Sequence, residues 1–250
     1  MTLARDIGRI AFGLAMVAAT YVAAATWERV KTRPPDRTIQ VTGSAKKRIV
    51  SDLIEWTGTI ETSDPADRTA AYKTLRGHVE TVQAYLRTQG IKDDEIRASS
   101  VDVSPINETE HVGTGPARIE RVVFKGYRTQ QSITIRSGDV NRVERISREV
   151  TQLLEKGVPI TSSAPSYHYT KLGELKIEML AEAAKDARVR ADNMVKSAGG
   201  GAIDKLRTAD MGVININPPN VTNTNWEGNN DTSSLEKDII TIVHVTYELH

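Results

Sequence analysis

The chain has 250 residues, a formal net charge of +1, 26% charged residues and no cysteine. The missing cysteine excludes disulfides, thiol catalysis and cysteine-based zinc sites, and is compatible with an oxidising compartment. The charges are balanced and mixed, without the concentrated basic face that nucleic acid requires, so no nucleic-acid partner is expected.

The first element is an uncharged run, IAFGLAMVAATYVAAATW, at residues 10–27. As a helix at ~1.5 Å per residue it covers roughly 27 Å, slightly less than a ~30 Å hydrocarbon core. Seven of its eighteen residues are alanine, so it is only weakly apolar. The side chains that would face lipid are Ile10, Phe12, Leu14, Met16, Val17, Tyr21, Val22 and Trp27, with Tyr21 and Trp27 suited to an interface. Arg5 and Arg9 precede the run as in a signal peptide, and Ala23-Ala24-Ala25 offers a cleavage site before Thr26. Two readings stay open: an uncleaved anchor, or a signal removed on export. Arg29, Lys31, Arg33 and Arg37 outnumber the two preceding arginines, so the charge count alone favours a cytoplasmic domain.

Residues 1–37 therefore form an anchor or signal segment with a linker stiffened by Pro34 and Pro35. The folded part begins with TIQVTGSA, where Ile39, Val41, Gly43 and Ala45 alternate with polar residues as in a half-buried strand. LIEWTGTIET follows, with Ile54, Trp56, Gly58 and Ile60 on one face, and the pair reads as a hairpin or as neighbouring strands. Asp64 as cap and Pro65 at the first position open a helix whose stripe is Ala71, Leu75, Val79, Val82 and Leu86. Gly90 stops it, and Ile91 folds back on its last turn. Residues 93–106 return to extended structure, 107–118 (NETEHVGTGPAR) read as a polar loop, and 119–137 form a long β-rich run in which Gly126 marks a bulge or a bend.

A second helix runs from Asp139 to Gly157, with Val140, Val143, Ile146, Val150, Leu153 and Leu154 as its stripe. After the short extended piece APSYHYTKL comes the longest helix, residues 172–197, ended by Gly199-Gly200-Gly201. Its Ala183, Ala184, Ala187 and Ala191 are candidates for an oligomer face; packing on its own sheet is the competing use. A strand at 202–216, an asparagine-rich loop at 217–234 and a last strand at 238–249 complete the chain. The fold class expected is α+β: mixed, mostly antiparallel sheets packed with three main helices, preceded by one N-terminal transmembrane or signal helix.

No reaction centre emerges. His78, His111, His168, His244 and His250 lack metal-site spacing. The triple glycine follows a helix instead of preceding one, which opposes phosphate binding and favours a helix stop with close strand approach. Asp93-Asp94-Glu95 lacks the spaced oxygens of a calcium loop, and no G-x-S-x-G elbow occurs. Tyr167-His168-Tyr169 is the most ligand-like cluster: on a strand the two tyrosines share one face and His168 takes the other, which reads first as an ordinary sheet surface and, in the competing reading, as the wall of a ligand groove.

The ordered segments IQVTGSA, LRTQGIKDDEIRASSVDVSP, GYRTQQSITI, AAKDARVRADNMVKSAGG and VHVTYEL resemble the SIMPL-domain family, of which bacterial members include periplasmic immunogenic and oxidative-stress-defence proteins. The resemblance covers residues 38–249. It implies an envelope location, an α+β fold and self-assembly into rings or other homo-oligomers, with no established enzymatic activity or cofactor. The asparagine-rich insert near Trp226 and the N-terminal segment depart from it. On this basis residues 38–250 form the family-like domain, with room for two subdomains. The chain is expected to be a non-enzymatic, self-assembling protein tethered at the bacterial inner membrane, its partners being its own copies and the bilayer. The alternatives are a monomeric periplasmic ligand-binding or chaperone-like module, and an enzyme with paired carboxylates.

Overall fold

The chain changes sheets at Ser51 and Asp52. In the computed structural model, which describes residues 2–31, 37–64, 67–113 and 118–250, helix α1 (Thr2–Lys31) is followed by β1 (Thr38–Val50) and β2 (Leu53–Asp64). The two strands do not pair with each other. All of β1 is matched against β9 (Glu236–Leu249), whereas β2 lies against β5 (Ile119–Ser137). A two-residue hairpin needs positive φ at its turn, and neither Ser51 nor Asp52 has it. Instead the Ser51 amide donates to Leu235 O at 2.9 Å, and the Asp52 carboxylate accepts from the Thr170 amide and hydroxyl at 2.7 and 2.8 Å. The link is tied down on both sides and runs on without reversing. The segment holding Pro34 and Pro35 lies outside the described residues.

The first sheet has the order β1-β9-β8, where β8 is Ile203–Asn217. In the second, β5 and β2 are central. The outer edge of β5 is shared by β3 (Ile96–Ala98) and β4 (Asp102–Val112), and that of β2 by β6 (Ile160–Ser162) and β7 (Ser166–His168). Every ladder among the described residues is antiparallel, and parallel pairing survives only as the isolated bridge Ile216–Asn230. The expected mixed sheets are therefore antiparallel ones.

Helix α2 (Arg68–Thr88) is capped by Asp67, whose carboxylate accepts the Thr69 amide at 2.7 Å. Asp64, the expected cap, instead ends β2 and accepts the Asp67 amide at 2.9 Å; Pro65 lies outside the described residues. The whole stripe from Ala71 to Leu86 is buried, Gly90 takes φ 84°, and the Ile91 amide reaches back to Leu86 O. Helix α3 (Val140–Glu149) tightens into a 3-10 turn over Val150–Lys156. That turn advances by ~120° per residue, so Leu153 stays on the buried stripe and Leu154 is exposed. The larger core joins Ile54, Trp56, Ile60, Ile133 and Ile135 to α2 and α3. Each fully buried aliphatic side chain there contributes ~1.5–3 kcal/mol.

Helix α4 (Leu172–Ser197) covers β1 and β9. Its stripe Leu175, Met179, Ala183, Ala187, Ala191 and Val195 advances in four-residue steps and is buried throughout. Contact is closest at Gly43, where an added Cβ would lie 2.1 Å from Ala183 O. Ala183, Ala187 and Ala191 are thus used within the subunit, and only Ala184 faces outward. The four alanines form no common oligomer face. Of the three glycines after α4, Gly199 takes φ 68° and Gly201 lies against the His250 carbonyl.

Candidate interaction surfaces

Helix α1 presents Leu14, Met16, Val17, Tyr21, Val22 and Trp27, each more than half exposed. At 100° per residue these six spread over about two-thirds of the circumference and leave an arc of about 120° to alanine and threonine. Among the described residues, none of the principal packing contacts between elements involves α1. The hydroxyls of Thr20 and Thr26 turn inward to the Met16 and Val22 carbonyls at 2.8 and 2.7 Å. The side chains of Ile10 and Phe12 lie outside the described residues. No helix among the described residues is long and apolar enough to cross a membrane.

A second surface was not evident in the sequence. Residues 107–112, read as loop, continue β4 and pair with β5 as far as Val112–Ile119. Strand β2 leaves β5 at Tyr127, so beyond that point β4 and β5 project as a two-stranded arm. Val112, Ile119, Val122 and Phe124 on this arm are exposed. The signal that marks it is length: a 19-residue strand outruns the 12 residues of β2 and requires another partner.

The asparagine-rich segment is a fastened platform. Asn215 Oδ1 accepts the amides of Asn225 and Asn229, and Asn217 donates to Asn223 O at 2.7 Å and accepts from Asn229 Nδ2 at 2.9 Å. Lys237, 2% exposed, donates to the carbonyls of Tyr167 and Asp231. Burial pushes its ammonium below the usual lysine range. The adjacent Asp238 is fully buried and accepts from Arg48, Lys46 and the Asn220 amide, which hold its carboxyl well below the usual range. On this platform Trp226 stands 92% exposed.

The ligand-like tyrosines do not wall a common groove. Tyr167 is buried in the larger core, and Tyr169 packs against the smaller cluster of Ile49, Met179 and Ile239. The histidines are dispersed: His111 lies against Glu120, His244 against Thr42, and His250 near Asp204. Among the described residues, no group of three or more His, Asp or Glu side chains converges as a metal would require.

The family model of SIMPL, described as a protein of unknown function (DUF541), matches residues 39–237. No curated protein matches the chain.

Proposed function

From the premise that this chain belongs to the SIMPL family, we propose that it is a non-enzymatic, self-assembling protein of the bacterial envelope. Helix α1 holds it at the inner membrane and the domain stands in the periplasm, as a ring or other homo-oligomer with a scaffold or stress-protection role. The observation that carries this reading is uncovered apolar surface on α1, where six large side chains occupy about two-thirds of the helix circumference and find no cover in the body of the protein. Soluble chains rarely leave such contiguous patches open, and those that do use them against protein or lipid.

The test has two parts. Intact mass of the protein from the membrane fraction reports whether residues before Thr26 persist; a mass beginning at Thr26 refutes the anchor. Light scattering of the full chain in mild detergent, with the detergent contribution subtracted, reports assembly; a strict monomer at high micromolar concentration refutes it.

A further inference from the structure

We infer that the open face of the first sheet, beside Trp226, is a binding site for a neutral sugar and seats one pyranose ring against the indole. Such a site serves the chain whether or not it assembles.

Trp226 is held out by construction. Residues 225–228 form a tight turn closed by the Gly228 amide, which donates to Asn225 O at 3.1 Å. The turn is fastened at both ends. The Asn225 amide donates to Asn215 Oδ1 at 2.9 Å, and Gly228, at φ 82°, is pressed on β8, where an added Cβ would lie 2.7 Å from Val213 Cγ1. A turn corner asks for small or polar residues, not for a large apolar one. This corner nevertheless carries the most exposed large apolar side chain among the described residues.

A cavity of about 180 Å³ opens beside the indole, lined in part by Val213, Ile242, Thr224, Asn225 and His244. A space of ~150 Å³ is enough for one six-membered carbon ring, so the cavity takes a single ring. Its lining holds no Lys, Arg, Asp or Glu. A phosphate, carboxylate or ammonium seated there would lose water without gaining a counter-ion, which selects an uncharged occupant.

The strand register says what surrounds the ring. Val41, Val243 and Val245 pack under α4, so alternation turns their even-numbered neighbours to the opposite face. Two cross-strand rows result, Gln40–Thr246–Thr208 and Thr42–His244–Asp210. None of these side chains is buried. The Thr42 hydroxyl meets His244 Nδ1 at 3.0 Å, which fixes the imidazole from the β1 side while the ring lines the cavity. An apolar stacking surface is thus bordered by a field of short hydrogen-bonding groups. A pyranose matches both parts, with a C–H face for the indole and hydroxyls that donate and accept at its rim. An aromatic side chain of a peptide would fill the cavity but leave the rows unused. Its backbone would also find the neighbouring edge of β8 taken, since the Ile216 amide donates to Asn229 O at 2.8 Å and the Asp231 amide to Ile216 O at 3.0 Å.

The test uses the full chain in a detergent without a sugar headgroup. Maltotriose and tri-N-acetylchitotriose are titrated in, with tryptophan emission and calorimetry as readouts. Trp56 is buried, so a saturable blue shift reports an exposed indole becoming covered. At least one sugar should give it. Trp226→Ala should raise the calorimetric dissociation constant by about tenfold or more at an unchanged melting midpoint, and Trp226→Phe, which keeps a flat face, should retain most of the affinity. His244→Ala should weaken binding too. Glucose 6-phosphate should bind no more tightly than glucose. The site is refuted if neither trisaccharide gives a saturable signal, or if Trp226→Ala leaves the affinity unchanged. Tighter binding of the tripeptide Gly-Phe-Gly than of either sugar, lost in Trp226→Ala, would make the occupant a peptide and overturn the sugar assignment.

Discussion

An alanine at position 43 would bring its methyl to 2.1 Å from the Ala183 carbonyl oxygen and 2.6 Å from the Ala187 nitrogen. Both are backbone atoms of α4 and cannot swing aside, so the helix must lift from β1. Overpacking of this kind costs ~1–3 kcal/mol, and Gly43→Ala should lower the denaturant midpoint accordingly. Gly77 gives the control. It sits in α2 with nothing within 4 Å of an added Cβ, and Gly77→Ala should stabilise by about 0.5–1 kcal/mol through helix propensity. A second prediction concerns Asp238. Its folded pKa is depressed by Arg48, Lys46 and the Asn220 amide, so its contribution is complete above the ordinary carboxylate pKa of ~3.9 and is lost as pH falls toward the folded value. Asp238→Asn should cost about 2 kcal/mol at neutral pH and flatten the stability decline below pH ~4, read from urea titrations across pH. At this scale the sequence was informative about glycines and less so about alanines. The four-residue step of Ala183, Ala187 and Ala191 marks one stripe, but a small-residue stripe looks the same whether it meets its own sheet or another subunit.

At the scale of elements, the helices were legible because their stripes recur over many turns and each start and stop has a chemical marker. The inward sides of β1, β2 and β9 were legible for the corresponding reason, strict alternation. The arm was not, because Asn107, Glu108, Thr109, Glu110 and His111 hold no apolar residue to alternate. Their strand character comes from pairing with β5, a non-local cause that local pattern does not record. The asparagine-rich segment was missed in the opposite sense: it lacks periodicity yet is ordered by side-chain to backbone bonds from Asn215, Asn217 and Lys237. Lys237→Met tests how far that order depends on one ammonium. The substitution keeps the stem packed and removes the donors from the Tyr167 and Asp231 carbonyls, leaving buried acceptors without partners at a cost of ~1–3 kcal/mol. Limited proteolysis should then cut within residues 218–234 at a faster rate, before the helices are attacked. Unchanged protection would mean that the asparagines alone hold the segment.

For the whole molecule, what composition and order conveyed was the α+β class and the family, while the partition of strands between sheets was hidden. β1 and β2 are adjacent in sequence and alike in pattern, and only the long-range matches to β9 and β5 assign them to separate sheets. The consequence is a body whose larger core and whose α4-covered clusters are both closed by elements after residue 37. Among the described residues helix α1 contributes none to these clusters, and the part after residue 37 closes its cores without it. Removing residues 1–36 should therefore leave the thermal midpoint of the domain within about 2 °C, since a 1 kcal/mol change moves a domain of this size by roughly 2–4 °C. The same truncation should abolish recovery in the membrane fraction if α1 is the tether. A fall of 5 °C or more would show that α1 docks on the body, and its apolar side chains would then be serving the fold and not the bilayer.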